Sequence, residues 1–317
     1  MAAPPIVWTP DPERIASATI TRYREWLNET RGLDLADYPA LWQWSVDELE
    51  DFWASIWEFF EVAASEPYEH VLTTRAMPGA EWFPGARLSY AEHVFRGRAA
   101  DEVAIRHASE LRPLAEWTWG ELRARAGAVA AALREAGVEA GDRVAAYLPN
   151  VPETVAAFLG CASIGATWSS CAPEFGVRSV VDRFAQIEPK VLLAVDGYRY
   201  GGRDFDRTDT VAALQRELPT LRRTFVLPYF AGGDWGLPPA ELEFAQLPFD
   251  HPLWVLYSSG TTGLPKAIVH GQGGILLEHL KKLRLHLDAR AGDRLFWFTT
   301  TGWMMWNFLV GGLLSDA

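Results

Sequence analysis

An α/β fold, with a parallel-rich sheet flanked by helices and preceded by a Trp-rich helical extension, is the architecture this chain predicts. Three observations carry that expectation. From about residue 102 short apolar runs alternate with helix-length amphipathic stretches. Strands joined through helices of that length pair in parallel. The first hundred residues show helical spacing instead and are rich in Trp. Finally, the apolar run Leu253-Trp254-Val255-Leu256-Tyr257 ends directly in a stretch of glycines, hydroxyls and one lysine. A short apolar run bounded by turn residues reads as a buried strand.

Taken in order, Asp11-Pro12-Glu13 opens a first helix with Pro at its first position, and Ile15, Tyr23, Trp26 and Leu27 supply an apolar stripe. Ser45 and Glu48 match a capping box, and Val46, Leu49, Phe52, Trp53, Ile56, Trp57 and Phe60 follow at helical spacing. Its polar face is acidic (Asp47, Glu48, Glu50, Asp51, Glu58, Glu61), whereas membrane-surface helices carry Lys and Arg there. This helix is therefore expected to pack on the protein body. Residues 102–106 read as a strand. Thr118 and Glu121 form another capping box, opening a helix through Leu122, Val129, Ala130 and Leu133 that stops at Gly137. Residues 143–148 are a strand, and Pro152 opens the helix of Val155, Phe158 and Leu159, which ends near Gly165. Helices are expected over 177–187 and 210–218, and strands over 190–195 and 224–227. A Pro/Gly-rich connection over 228–252 leads to the strand at 253–257. Residues 275–287 are helical, with Lys281, Lys282 and Arg284 on a solvated face.

Composition narrows the function classes. Hydrophobic residues make up 49% and charged residues 22%, which suits a globular chain with a real core. The formal net charge of −12 argues against nucleic acid or an anionic membrane as partner. A bound anion must then be held by local donors. Cys161 and Cys171 lie in apolar surroundings with no CxxC pair, which reads as two buried, inert thiols. The first residues, MAAPPIVWTPDPER, lack a basic start followed by an apolar core, so no signal peptide is expected. No apolar run approaches the roughly 18–20 residues of a membrane span, and a cytoplasmic location is the expectation. No cluster of metal ligands stands out.

The stretch from residue 258 to 266, SSGTTGLPK, carries the chemistry. Gly260 and Gly263 open backbone dihedrals closed to other residues. Ser258, Ser259, Thr261 and Thr262 offer hydroxyl donors, Lys266 a mobile positive charge, and Pro265 a fixed φ at the exit. Such a loop behind a strand can turn its N–H groups around a phosphate. An ordinary polar turn is the plainer reading. A Walker loop does not fit, because Leu264, Pro265, Lys266 and Ala267 follow Gly263. The complete order, strand then SSGTTGLPK, resembles the phosphate-binding loop of the adenylate-forming superfamily. Ala267 departs from it, since most members carry Gly there. Trp117-Thr118-Trp119-Gly120-Glu121-Leu122, Gly141-Asp142-Arg143-Val144 and Tyr147-Leu148-Pro149-Asn150 with Pro152-Glu153 fall in the superfamily's usual order. The acetyl-CoA synthetase branch matches best, through a Trp-rich extension like residues 38–82 and a segment like residues 158–166. Thr299-Thr300-Thr301-Gly302-Trp303-Met304-Met305-Trp306-Asn307 is similar to its acyl-pocket block, in the form carried by members that use acetoacetate.

The resemblance implies a helical extension over residues 1–100, then over 101–317 the first portion of an AMP-binding domain. It implies an acid–thiol ligase with acetoacetate, ATP and CoA as small-molecule substrates. A carboxylate attacks the α-phosphorus of Mg·ATP, giving acyl-adenylate and pyrophosphate, and the CoA thiol then displaces AMP. By the same resemblance Ser258, Ser259, Gly260, Thr261, Thr262, Gly263 and Lys266 hold the β- and γ-phosphates. Thr261, Thr262 and Lys266 carry the catalytic share, through charge stabilisation and positioning. Mg²⁺ is expected to arrive with ATP. Trp303, Met304, Met305 and Asn307 would form the acyl pocket, with Met shaping itself around a short chain and Asn307 offering an amide to a ketone oxygen. Met304, Met305, Trp306 and Phe308 also read as plain core. Arg199 and Arg203, spaced one residue wider than in those relatives, would contact a CoA phosphate, or are two solvated surface arginines. The implied adenine, ribose and lid-domain motifs do not occur before Ala317, so the chain is expected to be the N-terminal part of a longer enzyme, inactive alone. An acetyl- or propionyl-type ligase and a non-catalytic nucleotide-binding or interaction remnant stay open beside it.

Overall fold

The computed structural model describes Pro5, residues 7–258 and residues 263–317. Ser259, Gly260, Thr261 and Thr262, four of the expected phosphate-loop residues, lie outside the described residues. The chain divides into two compact units. One comprises Met1–Val62, Leu277–Leu295 and Leu314–Ala317, and the other Ala63–Leu276 with Phe296–Leu313.

The first unit is helical: α1 Pro12–Ser17, α2 Thr19–Arg31, α3 Tyr38–Asp47 and α4 Leu49–Phe59. Helix α1 starts where expected, the Asp11 carboxylate accepting from the Arg14 N–H at 2.8 Å. The capping box expected at Ser45 is not formed. Helix α3 begins earlier, at Asp37, whose carboxylate accepts from the Ala40 N–H at 2.9 Å just ahead of Pro39. Ser45 is thus mid-helix, and its hydroxyl donates back to the Trp42 carbonyl at 2.7 Å. Asp at the N-cap with Pro in the first turn outcompetes a Ser that can bond backward within a helix. The break comes at Glu48 (φ −106°, ψ 61°), and α4 follows. Tyr23, Leu27 and Ile56 are fully buried, and the Tyr23 hydroxyl meets that of Ser55 at 2.5 Å. The basic cluster is not simply solvated. In the π-helical segment Lys281–His286, the Lys281 ammonium sits 4.7 Å over the Trp53 ring and Arg284 pairs with Asp316 at 3.0 Å. Ammonium over indole is a net attraction, so the aromatic stripe of α4 recruits the charge.

The second unit runs β1 Arg87–Leu88, α5 Tyr90–Phe95, β2 Val103–His107, β3 Ala115–Thr118, α6 Trp119–Glu135, β4 Arg143–Tyr147, α7 Pro152–Ser163, β5 Thr167–Cys171, α8 Val177–Phe184 and β6 Val191–Val195. It continues with β7 Gly197–Tyr200, β8 Arg203–Asp206, α9 Thr208–Glu217, β9 Arg223–Leu227, β10 Leu247–Pro248, β11 Pro252–Ser258 and β12 Lys266–Gly271. Helix α10 Gln272–Leu280 follows, of which residues 272–276 belong to this unit, and α11 Met304–Gly311 lies near the end. The main sheet has the order β12-β11-β5-β4-β6-β9. All its pairings are parallel except that of β11 with β12. The capping box at Thr118 and Glu121 is present as expected.

Strand β5, TWSSC, escapes the sequence pattern because it is rich in hydroxyls. Burial is tolerated because those hydroxyls find carbonyls: Ser169 donates to Val255 at 2.9 Å and Thr167 to Pro252 at 3.3 Å, both on β11. An aromatic cluster fills one side of the sheet. Phe158 packs on Trp254 with ring centroids 5.5 Å apart and on Trp168 at 5.9 Å, and Trp168 stacks on Trp306 at 6.1 Å. Tyr147, Phe184, Leu192 and Leu214 form a second buried cluster. Cys161 and Cys171 are fully buried free thiols, and burial pushes Cys171 up to about 12 and Cys161 higher still.

Both thiols should therefore resist maleimide at pH 8 in the folded chain and react only once urea unfolds it, since the thiolate is the nucleophile. Gly127→Ala tests the close approach of α6. A Cβ there would collide with the Ala240 carbonyl oxygen. Overpacking of about 1–3 kcal/mol should outweigh the roughly 1 kcal/mol helix gain, so the urea midpoint should fall.

Candidate functional site

Parallel strands β4, β5 and β11 end on the same side of the sheet, and open α/β sheets bind ligands outside such carboxyl ends. Ser258 is the last residue of β11. Antiparallel pairing sets Lys266, the first residue of β12, directly opposite it. The two ends of the expected phosphate loop are thus joined by a sheet ladder. Gly263 has φ +96°, a left-handed conformation that favours glycine. The Lys266 side chain is exposed and has no ion-pair partner among the described residues. The Gln186 side-chain amide donates to the Pro265 carbonyl at 2.9 Å and ties the loop exit to the segment after α8.

The block at 299–307 is lashed to the turns that leave β4 and β5. The buried Thr301 hydroxyl donates to the Leu148 carbonyl at 2.7 Å, while the Ser170 hydroxyl donates to the Thr301 carbonyl at 2.7 Å. The Trp306 indole N–H donates to the Asn150 side-chain oxygen at 3.0 Å. A Cβ on Gly302 would come within 3.0 Å of the Phe175 ring, so the backbone passes close to the turn after β5. That turn is itself held by Tyr147, whose hydroxyl donates toward the Pro173 and Phe175 carbonyls at 2.6 and 2.9 Å. The Tyr257 hydroxyl donates to the Arg183 carbonyl at 2.8 Å. Burial raises the pKa of both tyrosines, so each stays a protonated donor through the neutral range.

The expected acyl residues divide by exposure. Trp303 and Met304 are 65% and 55% exposed, Met305 is half-buried, and Trp306 and Asn307 are buried. Trp306 belongs to the aromatic core, which the plainer reading of the stripe allowed. Asn307 is different. It is 2% exposed, yet neither its side-chain nitrogen nor its oxygen has a hydrogen-bond partner among the described residues. Thr300, also in the block, has a buried hydroxyl without a partner among the described residues. Leaving such groups unpaired costs roughly 1–3 kcal/mol each, so they point to something that completes them.

Arg199 and Arg203 lie on the hairpin β7–β8, which turns through Gly201 and Gly202. Arg199 forks onto Asp204, Nε to Oδ1 at 2.5 Å and Nη2 to Oδ2 at 3.1 Å, and this bond holds the Asp204 carboxyl below its usual range. Arg203 is exposed and has no ion-pair partner among the described residues. At the base of the hairpin Arg207 donates to the Pro173 carbonyl at 2.7 Å, tying it to the turn after β5. No hydrogen bond among the described residues joins the two arginines to the loop ends or to the block at 299–307. Sequence reasoning missed Ser170, Asn150 and Arg207 as positioning groups. Only Asn150 carried a signal, as part of the Tyr147-Leu148-Pro149-Asn150 string. Among the described residues no group of three or more His, Cys, Asp or Glu side chains is placed to hold a metal ion, and no helix is long and apolar enough to cross a membrane.

Residues 92–315 match the model of the AMP-binding enzyme family, and residues 38–94 match that of the acetyl-coenzyme A synthetase N-terminus. The chain belongs to the AMP-binding enzyme family. Within it, the chain is similar to the solved acetoacetyl-CoA synthetase from Streptomyces lividans, with 56% identity and a TM-score of 0.95 over 99% of this chain and 50% of that one. It is 41% identical to an acetoacetyl-CoA synthetase of Danio rerio over 98% of this chain and 50% of the relative. A malonamoyl-CoA synthetase of Penicillium aethiopicum is 35% identical over 92% and 44%. The chain spans about half the length of the curated relatives it matches.

Thr301→Val keeps the shape of the side chain but removes the donor to Leu148. Stability in urea should fall by about 1 kcal/mol, the usual worth of such a bond, with the far-ultraviolet dichroism unchanged.

Proposed function

We propose that this chain is the N-terminal portion of an ATP-dependent acid–thiol ligase that activates acetoacetate as an acyl-adenylate and passes it to CoA. The observation that carries the reading is positional. The ends of the SSGTTGLPK loop and the Thr299–Asn307 block come from separate parts of the chain, yet both lie at the carboxyl ends of β4, β5 and β11. In this reading residues 1–100 are the extension and residues 101–317 the first portion of the AMP-binding domain. A cytosolic enzyme acting on small molecules, and not on nucleic acid, fits the acidic surface and the free thiols.

The reaction needs an acid carboxylate to approach a triphosphate of like charge. Its oxygen attacks the α-phosphorus, the bond to the β-phosphate breaks, and pyrophosphate leaves. Ser258, Ser259, Thr261 and Thr262 offer hydroxyls, Gly260 and Gly263 offer backbone N–H groups, and Lys266 offers charge to the leaving phosphates. Mg²⁺ supplies further charge neutralisation when bound with ATP, and no residue of this chain is assigned to it. CoA sulfur then attacks the acyl carbon and AMP departs, with Arg199 and Arg203 reaching for a CoA phosphate.

The identity of the acid rests on Asn307. Acetoacetyl and malonamoyl, the acyl groups in the relatives' names, share a carbonyl at carbon 3. An amide already buried without a partner can donate to that oxygen, and acetate, which lacks it, would leave the amide unpaired. Trp303, Met304 and Met305 close around the chain of the acid.

Carboxylate-dependent ATP–pyrophosphate exchange tests this in a protein extended to the full length of its relatives. Acetoacetate should support faster exchange than acetate, propionate or 3-hydroxybutyrate, and equal rates would refute the assignment. Asn307→Leu should cut the acetoacetate-to-acetate ratio about tenfold, the worth of one hydrogen bond of about 1.4 kcal/mol. Met304→Ala should shift that ratio more than it changes the KM for ATP. Charge reversal at Arg203 should weaken CoA use without slowing exchange.

A further inference from the structure

In the helical unit an open cleft of about 440 Å³ brings three arginines to one place. Every residue that lines it belongs to that unit, and none has a part in the proposed ligase chemistry. Arg22 comes from the first turn of α2, Arg284 from the π-helical segment Lys281–His286, and Arg290 from the loop that follows. Small-molecule sites occupy roughly 300–1,000 Å³, so the cleft has room for a metabolite.

Two of the three guanidiniums already hold carboxylates of the chain. Arg284 pairs with Asp316 at 3.0 Å. Arg290 donates from Nη2 to Asp288 at 2.5 Å and to the Ser17 carbonyl at 2.9 Å. Asp288 is fixed from its other side, where Oδ1 accepts the Thr19 N–H at 2.9 Å. It thereby caps α2, whose own N-cap residue Ala18 makes no side-chain bond. Asp293 also acts on Arg290, but its carboxylate is turned onto the Arg290 backbone N–H at 2.9 Å. Arg22 is the odd member. It is exposed, its Nη2 donates to the Thr19 hydroxyl at 3.0 Å, and it has no carboxylate partner among the described residues.

We infer that this cleft is a binding site for a small dianionic oxyanion, a phosphate monoester or a dicarboxylate, seated on Arg22 and shared with Arg284 and Arg290. In a chain of net charge −12 an anion must be met by local donors, and these three side chains supply them. A guanidinium carries five N–H donors in a planar fork, so Arg290 keeps those on Nε and Nη1 after Nη2 is committed. One negative charge answers Arg22. A second lets the ligand compete with Asp316, whose pair with Arg284 is partly exposed and therefore weak.

The test labels the arginine side chains with ¹⁵N and follows the Nε–H resonances of Arg22, Arg284 and Arg290 while inorganic phosphate, succinate, acetate or chloride is added. Phosphate or succinate should give saturable shifts at Arg22, and whichever saturates at lower concentration identifies the source of the oxyanion. Acetate and chloride should give none that saturate. Arg22→Gln, read at Arg290, should raise the apparent Kd about fivefold, the upper range of an exposed charge contact, and Arg22→Lys should recover part of that loss. Lys266→Ala should leave the Kd unchanged, which separates the cleft from the proposed phosphate loop. Shifts that fail to saturate with both dianions, or saturation by acetate as readily as by succinate, would overturn the inference. So would an unchanged Kd in Arg22→Gln, or an equal rise in Lys266→Ala.

Discussion

Registry between β5 and β11 is the constraint on which the rest depends. Trp168 and Trp254 stand opposite each other across that parallel pair, both essentially buried, with Phe158 packed on both. A one-residue slip would turn every side chain of a strand to the other face. It would expel two indoles from the core and pull the Ser169 and Thr167 hydroxyls away from their β11 carbonyls. The same registry decides where β11 ends relative to β5, and therefore where the loop after Ser258 begins. Trp306, stacked on Trp168, carries the constraint into the block at 299–307. Core packing and site placement are one problem in this sheet.

Much of that was legible from residues alone. Strands β4, β6 and β9 are plain apolar runs, and the Thr118 capping box and Pro152 helix start are formed as read. What escaped did so for identifiable reasons. Strand β5 hides its burial behind hydroxyls that are satisfied only by a strand some 85 residues away in sequence. The first unit's helix break at Glu48 depends on a choice between two acceptable caps, Asp37 and Ser45, that local patterns rank poorly. Site residues were legible by kind more than by state. The Thr299–Asn307 string suggested an acyl block, but nothing in it distinguished Trp306, which stacks inward and is partnered, from Asn307, which is buried and has no side-chain partner among the described residues. Partnership is a property of three dimensions, and the sequence period does not encode it.

The electrostatic design is local. A chain of net charge −12 offers no general attraction to nucleotides, so anions must be met by groups placed within bonding distance. Several of its arginines are committed to carboxylates: Arg112 to Glu153, Arg199 to Asp204, Arg290 to Asp288. Lys266 and Arg203, by contrast, are exposed cations without an ion-pair partner among the described residues. The buried tyrosines act in the opposite manner, as neutral donors whose hydroxyls brace turns without adding charge.

The pairing of Ser258 with Lys266 has an evolutionary consequence. The β11–β12 ladder sets the backbone of the lysine opposite Ser258, so the root of its side chain is held by strand pairing. In the proposed phosphate site, substitution within the connecting stretch would retune the hydroxyl and amide donors while the backbone that carries the lysine stays paired. The hairpin thus separates two functions that a free loop would have to vary together, and lineages sharing this frame can drift in one without forfeiting the other.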